Sequence, residues 1–160
     1  MLSNLHITKD WTLFLDRDGV INHEKKEDYI RNWSEFKFYT ESLKALPLLA
    51  QKFSRIIITT NQKGIGKGWM TDADLALIHD NMTNHIIELG GRIDAIFYCS
   101  DLDNESYNRK PQPGMAFQAK EQFPSIDFTK SIMVGNRMSD MEFGRNAGMY
   151  TVYLATTNPE

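Results

Sequence analysis

The stretch "WTLFLDRDGVINHEKK", residues 11–26, sets the apolar run Thr12 to Leu15 directly before Asp16 and Asp18. A short run of this kind, bounded by turn residues, reads as a buried strand. Charge is expensive to bury, so carboxylates at its end need a reason. One reason is a turn, since Asp tolerates unusual backbone angles and Gly19 is free to take positive φ. The other is a catalytic pair. Which of them holds depends on what stands at the ends of the other strands.

Similar apolar runs recur at "RIIITT" (55–60), "IDAIFYC" (93–99), "SIMV" (131–134) and "YTVYL" (150–154). Amphipathic stretches alternate with them, which predicts an α/β fold: a three-layer, Rossmann-like parallel sheet covered by helices. Leu75, Ile78, Met82, Ile86 and Leu89 recur at steps of three and four, giving one apolar helix face. Thr71 with Asp74 predicts its N-terminal cap, and Gly90-Gly91 its end. Ser139 with Glu142 predicts the start of another helix that Gly148 closes. A helix is also expected from Glu41 to Phe53, with Pro47 kinking it or shifting its start. Residues 100–114, "SDLDNESYNRKPQPG", read as the one long loop.

The 160 residues fit one domain, 1–160, with room for a full core and without help from disulfides or a structural metal. A hydrophobic content of 41% and a net charge of −3 mark an ordinary globule with no basic field for nucleic acid. The single cysteine, Cys99, excludes a disulfide framework and any multi-cysteine metal site. The opening "MLSNLHITKDW" lacks a signal-peptide core, and no segment approaches the roughly 20 apolar residues that span a bilayer. A cytoplasmic protein is expected.

In an open parallel sheet, ligands bind beyond the carboxyl ends of the strands, where loops and helix N-termini converge. The predicted strand ends carry Asp16 and Asp18, then Thr60-Asn61, then Arg109-Lys110 beyond the long loop, then Asn136 with Asp140 close behind. That set suits phosphoryl transfer. A phosphomonoester repels an anionic nucleophile, so a divalent cation must bridge carboxylates and phosphate before Asp16 can attack. Magnesium prefers hard oxygen ligands: carboxylates, an amide oxygen, a backbone carbonyl. Attack by Asp16 forms an aspartyl-phosphate, Asp18 can protonate the leaving oxygen and later deprotonate water, Thr60 can bond a phosphoryl oxygen, and Lys110 offsets charge.

Together "LFLDRDGVIN", "IIITTNQKGIGKG", "RKPQPGM" and "MVGNRMSDMEFGRNAGM" resemble the four ordered motifs of the haloacid dehalogenase (HAD) superfamily. Within it they are most similar to the small-capped phosphatases of heptose bisphosphate and histidinol phosphate. The resemblance spans residues 11 to 155. It implies the HAD fold with a minimal cap, and a magnesium cofactor. Asp16 becomes nucleophile and metal ligand, and Asp18 the acid/base whose backbone carbonyl reaches the metal. Thr60, Asn61 and Lys110 line the phosphate site, and Arg109 contacts substrate. The chain departs from the family at two places. Asn136 stands where relatives carry a metal-binding aspartate, so either it or Asp140 completes the metal site; capping a helix is the competing role for Asp140. The zinc-binding loop of many relatives is reduced to Cys99, so no zinc is expected.

Other signals carry less. "GIGKGW" (64–69) fails the nucleotide-binding spacings, since Trp69 stands where a glycine is required. Lys67 is a surface residue or a second-phosphate contact. His6, His23, His79 and His85 show no ligand spacing and read as structural or surface residues. The expected activity is magnesium-dependent hydrolysis of a small phosphorylated metabolite such as heptose bisphosphate, with histidinol phosphate as the alternative. A polynucleotide 3′-phosphatase shares two of the motifs but is opposed by the acidic balance. A non-catalytic phosphosugar binder is opposed by Asp16 and Asp18 themselves. Sequence leaves the oligomeric state open.

Overall fold

A computed structural model describes residues 4–157. The N-terminal and C-terminal three residues of the expected domain lie outside the described residues. Five strands, β1 (Thr12–Leu15), β2 (Arg55–Asn61), β3 (Ala95–Cys99), β4 (Ser131–Gly135) and β5 (Tyr150–Tyr153), form one sheet in the order β3-β2-β1-β4-β5. All neighbouring pairs are parallel, with Leu13 level with both Ile56 and Ile132. The chain steps outward from β1 in one direction through β2 and β3, then in the other through β4 and β5. The two directions part at the carboxyl end of β1, where Asp16 stands.

Strand residues alternate between two cores. Leu13, Leu15, Ile56, Ile58 and Ile132 face one layer with Leu46 of α1 (Thr40–Lys52) and the apolar stripe of a longer helix. Phe14, Ile57 and Met133 face the other, with residues from α4 (Gly114–Gln122) and α5 (Met138–Ala147). A sheet covered on both faces explains why these strands read as continuous apolar runs.

Between them, α2 is the single turn Lys63–Gly66, and α3 spans Asp72–Glu88. In α3, Leu75, Ile78, Met82 and Ile86 are at most 1% exposed, each burial worth about 1.5–3 kcal/mol. Leu89, the last of the periodic residues, caps the helix and is exposed. The Thr71–Asp74 capping box forms as expected.

Several sequence expectations are corrected. The third strand begins at Ala95: the Asp94 N–H still donates to Ile56 O at 2.8 Å, but the Ile56 N–H is taken by the Asp94 carboxylate, so the backbone ladder goes no further. Helix α1 runs through Pro47 without stopping; its packing outweighs the lost backbone bond. The cap of α5 is set by Arg137 and Asp140, not Ser139 and Glu142. Asp140 reaches back to the Arg137 N–H at 3.1 Å, which leaves Ser139 inside the helix. Gly148 closes α5 in the left-handed conformation, as read.

Candidate active site

The strand ends open into a cavity of about 510 Å³ lined by Asp16, Asp18, Thr60, Asn61, Arg109, Lys110 and Asp140 among others. These seven sequence-derived residues therefore meet, with Asn136 directly beneath. Asp16 follows the last residue of β1, and its N–H donates to Val134 O at 3.0 Å, so its position is set by the sheet. Lys110 is 3% exposed and spends all its donors: Nζ lies 3.0 Å from Asp16 Oδ1, 2.7 Å from Asp140 Oδ1 and 2.8 Å from Thr59 O. Burial opposes its charge, but Asp140 and Asp16 outweigh that and raise its pKa.

Asn61 clamps the Lys110 backbone reciprocally, its Nδ2 donating to Lys110 O at 3.2 Å and its Oδ1 accepting from Lys110 N at 3.1 Å. Its amide thus serves the lysine's placement. The second oxygen of Asp140 accepts from the N–H groups of Asn136 and Arg137, both at 3.1 Å. Of the two roles expected of it, metal ligand or helix cap, the contacts formed are those of the cap, and Asp140 in addition anchors Lys110. Gly135 permits this approach, since a Cβ there would stand 2.2 Å from Asp140 Cβ.

Asp16 and Asp18 differ in environment. Burial pushes Asp16 up to about 7, with Asp140 and Asp18 adding to the effect and Lys110 opposing it. Burial also opposes ionisation of Asp18, but the Arg17 guanidinium and hydrogen bonds from Asn22, Arg17 and Gln62 overcome it, so its pKa is lowered. Arg17 Nη2 and Asn22 Nδ2 each lie 2.8 Å from Asp18 Oδ1, and Gln62 Nε2 lies 2.9 Å from Oδ2. Gln62 also donates to Thr60 Oγ1 at 3.1 Å. Gln62 follows Thr60-Asn61 at the end of the second apolar run, but nothing in the sequence gives it a role; Arg17 and Asn22 carry no sequence signal, because each acts through a contact that only the folded turn forms.

Asn136 is fully buried against Gly19, where a Cβ would stand 2.0 Å from its amide. Gly19 takes φ +88, so the glycine serves both the turn and the contact. One seating of the amide satisfies every partner within the protein: Nδ2 donates to Asp18 O at 3.2 Å and Asp16 Oδ2 at 3.1 Å, and Oδ1 accepts from Thr157 Oγ1. The reverse seating aims the amide oxygen, a carboxylate oxygen and a main-chain carbonyl at one point. Three convergent hard oxygens suit magnesium and need a cation between them. Among the described residues, no group of three or more His, Cys, Asp or Glu side chains is placed to hold an ion, so such a site depends on the Asn136 amide and the Asp18 carbonyl.

Arg109 points into the cavity with its Nη1 buried and unpartnered. Arg137 and Glu24 pair across the mouth at 2.9 Å. Lys67 lines the cavity with its Nζ 4.5 Å from the Trp69 ring centre.

Residues 11–152 match the family described as polynucleotide kinase 3 phosphatase. The chain is 36% identical over 137 residues to the D-glycero-alpha-D-manno-heptose-1,7-bisphosphate 7-phosphatase of Mycobacterium bovis, covering 85% of this chain and 72% of that protein. The crystal structure of D,D-heptose 1,7-bisphosphate phosphatase from B. bronchiseptica, complexed with magnesium and phosphate, superposes with TM-score 0.85 at 31% identity. The match covers 92% of this chain and 82% of the other. A HAD-superfamily hydrolase from Geobacter sulfurreducens shares the fold at 14% identity, with TM-score 0.62 over 93% of this chain and 91% of that one.

Proposed function

From a chain that belongs to the haloacid dehalogenase superfamily of phosphatases, and within it to the polynucleotide kinase 3 phosphatase family, we propose a magnesium-dependent phosphomonoesterase acting on a small sugar phosphate, heptose 1,7-bisphosphate first. The observation that carries this reading is the buried pair of Asp16 and Lys110, 3.0 Å apart, facing the cavity with Asp18 two residues on. Asp16, the Asp18 carbonyl and Asn136 would hold the magnesium, which when bound neutralises phosphate charge and favours the ionised form of Asp16.

The chain's own groups then divide the chemistry. A carboxylate oxygen of Asp16 forms a bond to phosphorus as the bond to the leaving oxygen breaks, and Asp18, brought to its protonated form by the arriving phosphate charge against its lowered resting pKa, delivers a proton to that oxygen. Water next attacks the aspartyl-phosphate, Asp18 takes its proton, and Asp16 is released. Lys110 and Thr60 face the transferring group. Lys110, already fixed by Asn61 and Asp140, needs no reorganisation to offset charge there. Arg109, with a free buried donor, is suited to the substrate's second anionic group. A reducing, cytoplasmic setting agrees with the single buried thiol of Cys99, and no helix among the described residues is long and apolar enough to cross a membrane.

The test is phosphate release from heptose 1,7-bisphosphate, histidinol phosphate, simple sugar phosphates and a 3′-phosphorylated oligonucleotide, each with magnesium or EDTA. Release that needs magnesium, is fastest on the heptose and vanishes in Asp16→Asn is expected. Release only from the oligonucleotide would reassign the substrate class. Binding of a sugar phosphate without turnover would replace the enzyme with a binding protein.

A further inference from the structure

Arg17 and His79 form a buried polar pair that does not line the active cavity. Arg17 is fully buried and His79 is 7% exposed. The guanidinium lies 5.7 Å from the Phe36 ring centre and sends Nε and Nη2 to Asp18 Oδ1, at 3.2 and 2.8 Å. That leaves Nη1, which meets His79 Nε2 at 3.1 Å. Arginine only donates, so His79 must accept at Nε2 and carry its proton on Nδ1. The histidine sits on the buried stripe of α3, whose Leu75, Ile78 and Met82 are at 0% exposure.

We propose that His79 is a positioning residue: through Arg17 it fixes the Asp18 carboxylate in the orientation required for proton transfer to the leaving oxygen. The inference rests on the phosphatase reading above. Neither side chain can touch substrate, because neither faces the cavity. The Arg17 backbone N–H is held on Asp16 Oδ1 at 2.8 Å, and among the described residues the one carboxylate its guanidinium pairs with is that of Asp18, which is the side-chain route to the site. Removing the His79 acceptor orphans a buried guanidinium donor, and the fork turns to recover a partner. Two of the three donors on Asp18 Oδ1 belong to that fork, so the carboxylate moves with it.

Leaving-group protonation is read by comparing an aliphatic sugar phosphate with p-nitrophenyl phosphate, whose phenolate departs with little need of an acid. The parameter is kcat/KM, which covers steps up to departure of the leaving group. His79→Leu should lower it about tenfold to a hundredfold on the sugar phosphate and only a few fold on the aryl ester, with sugar-phosphate KM unchanged. His79→Gln, whose amide oxygen can accept from Arg17, should recover most of the loss. Equal losses on both substrates, or no recovery by Gln in a folded protein, would overturn the inference alone. Wild type inactive on both substrates would overturn the phosphatase reading and this inference with it. Should His79→Leu lose its cooperative melt, Arg17→Lys keeps the charge without the fork, and the same aliphatic-selective loss is required of it.

Discussion

Asn136 stands where the resemblance to the superfamily implies a metal-binding aspartate. Asn136 contributes no charge, yet it can turn either end toward Asp16 and Asp18. With Nδ2 inward it donates to two oxygens that would otherwise face each other unpaired, which stabilises the protein without a cation. An aspartate there would supply a negative charge and no donor. Asn136→Asp should therefore bind magnesium more tightly, on the order of tenfold or more in Kd, measured by calorimetric titration. In EDTA the same variant should be less stable by about 1–3 kcal/mol, because another carboxylate joins buried Asp16 and two hydrogen bonds are lost. Unchanged affinity in the variant would remove residue 136 from the metal site.

At the scale of elements, legibility in the sequence follows how local each determinant is. Helix α3 is legible because its stripe and cap are both encoded within a few residues. The cap consists of Thr71 Oγ1 accepting from Asp74 N at 3.1 Å and Asp74 Oδ2 accepting from Thr71 N at 2.9 Å. Thr71→Ala should cost about 1 kcal/mol in urea unfolding, with activity retained, since the cap does not face the cavity. Helix α4 was not anticipated. It buries Gly114, Met115, Ala116 and Ala119, mostly small residues that leave no apolar stripe to read. The Ser139–Glu142 pattern points to a cap for α5 two residues late because Asp140 answers to Lys110 as well as to its own helix, and that second tie is set by tertiary structure. The same distinction separates the site residues. Asp16, Asp18 and Thr60 stand at strand ends, where topology alone brings them together, while Lys110 arrives from the loop after β3 and is held there by Asn61 and Asp140. His79 lies mid-helix on α3, and nothing nearby in sequence announces its contact with Arg17.

Across the whole molecule, two buried groups give stability opposite dependences on pH. His79 is lowered to about 3, chiefly by burial and then by the Arg17 charge, from 6.5. The unfolded chain takes up a proton below 6.5 that the folded chain refuses, so this group removes stability as pH falls from 6.5 toward 3. Asp16 is raised from 3.8 to about 7, so the folded chain keeps a proton there that the unfolded chain has lost. Its contribution falls as pH rises from 4 toward 7. Between pH 4.5 and 6.5 the two slopes oppose, and wild type without magnesium should show little net change from this pair. Asp16→Asn removes one arm. Its stability should then drop by about 2 kcal/mol between pH 7 and pH 5, followed by urea unfolding in EDTA. His79→Gln removes the other arm and should gain stability on acidification over the same range. Saturating magnesium, which displaces the Asp16 proton, should make wild type behave like Asp16→Asn. If both variants instead parallel wild type at every pH, neither group titrates as its surroundings require, and the opposition between the helix side and the strand end of the site is lost.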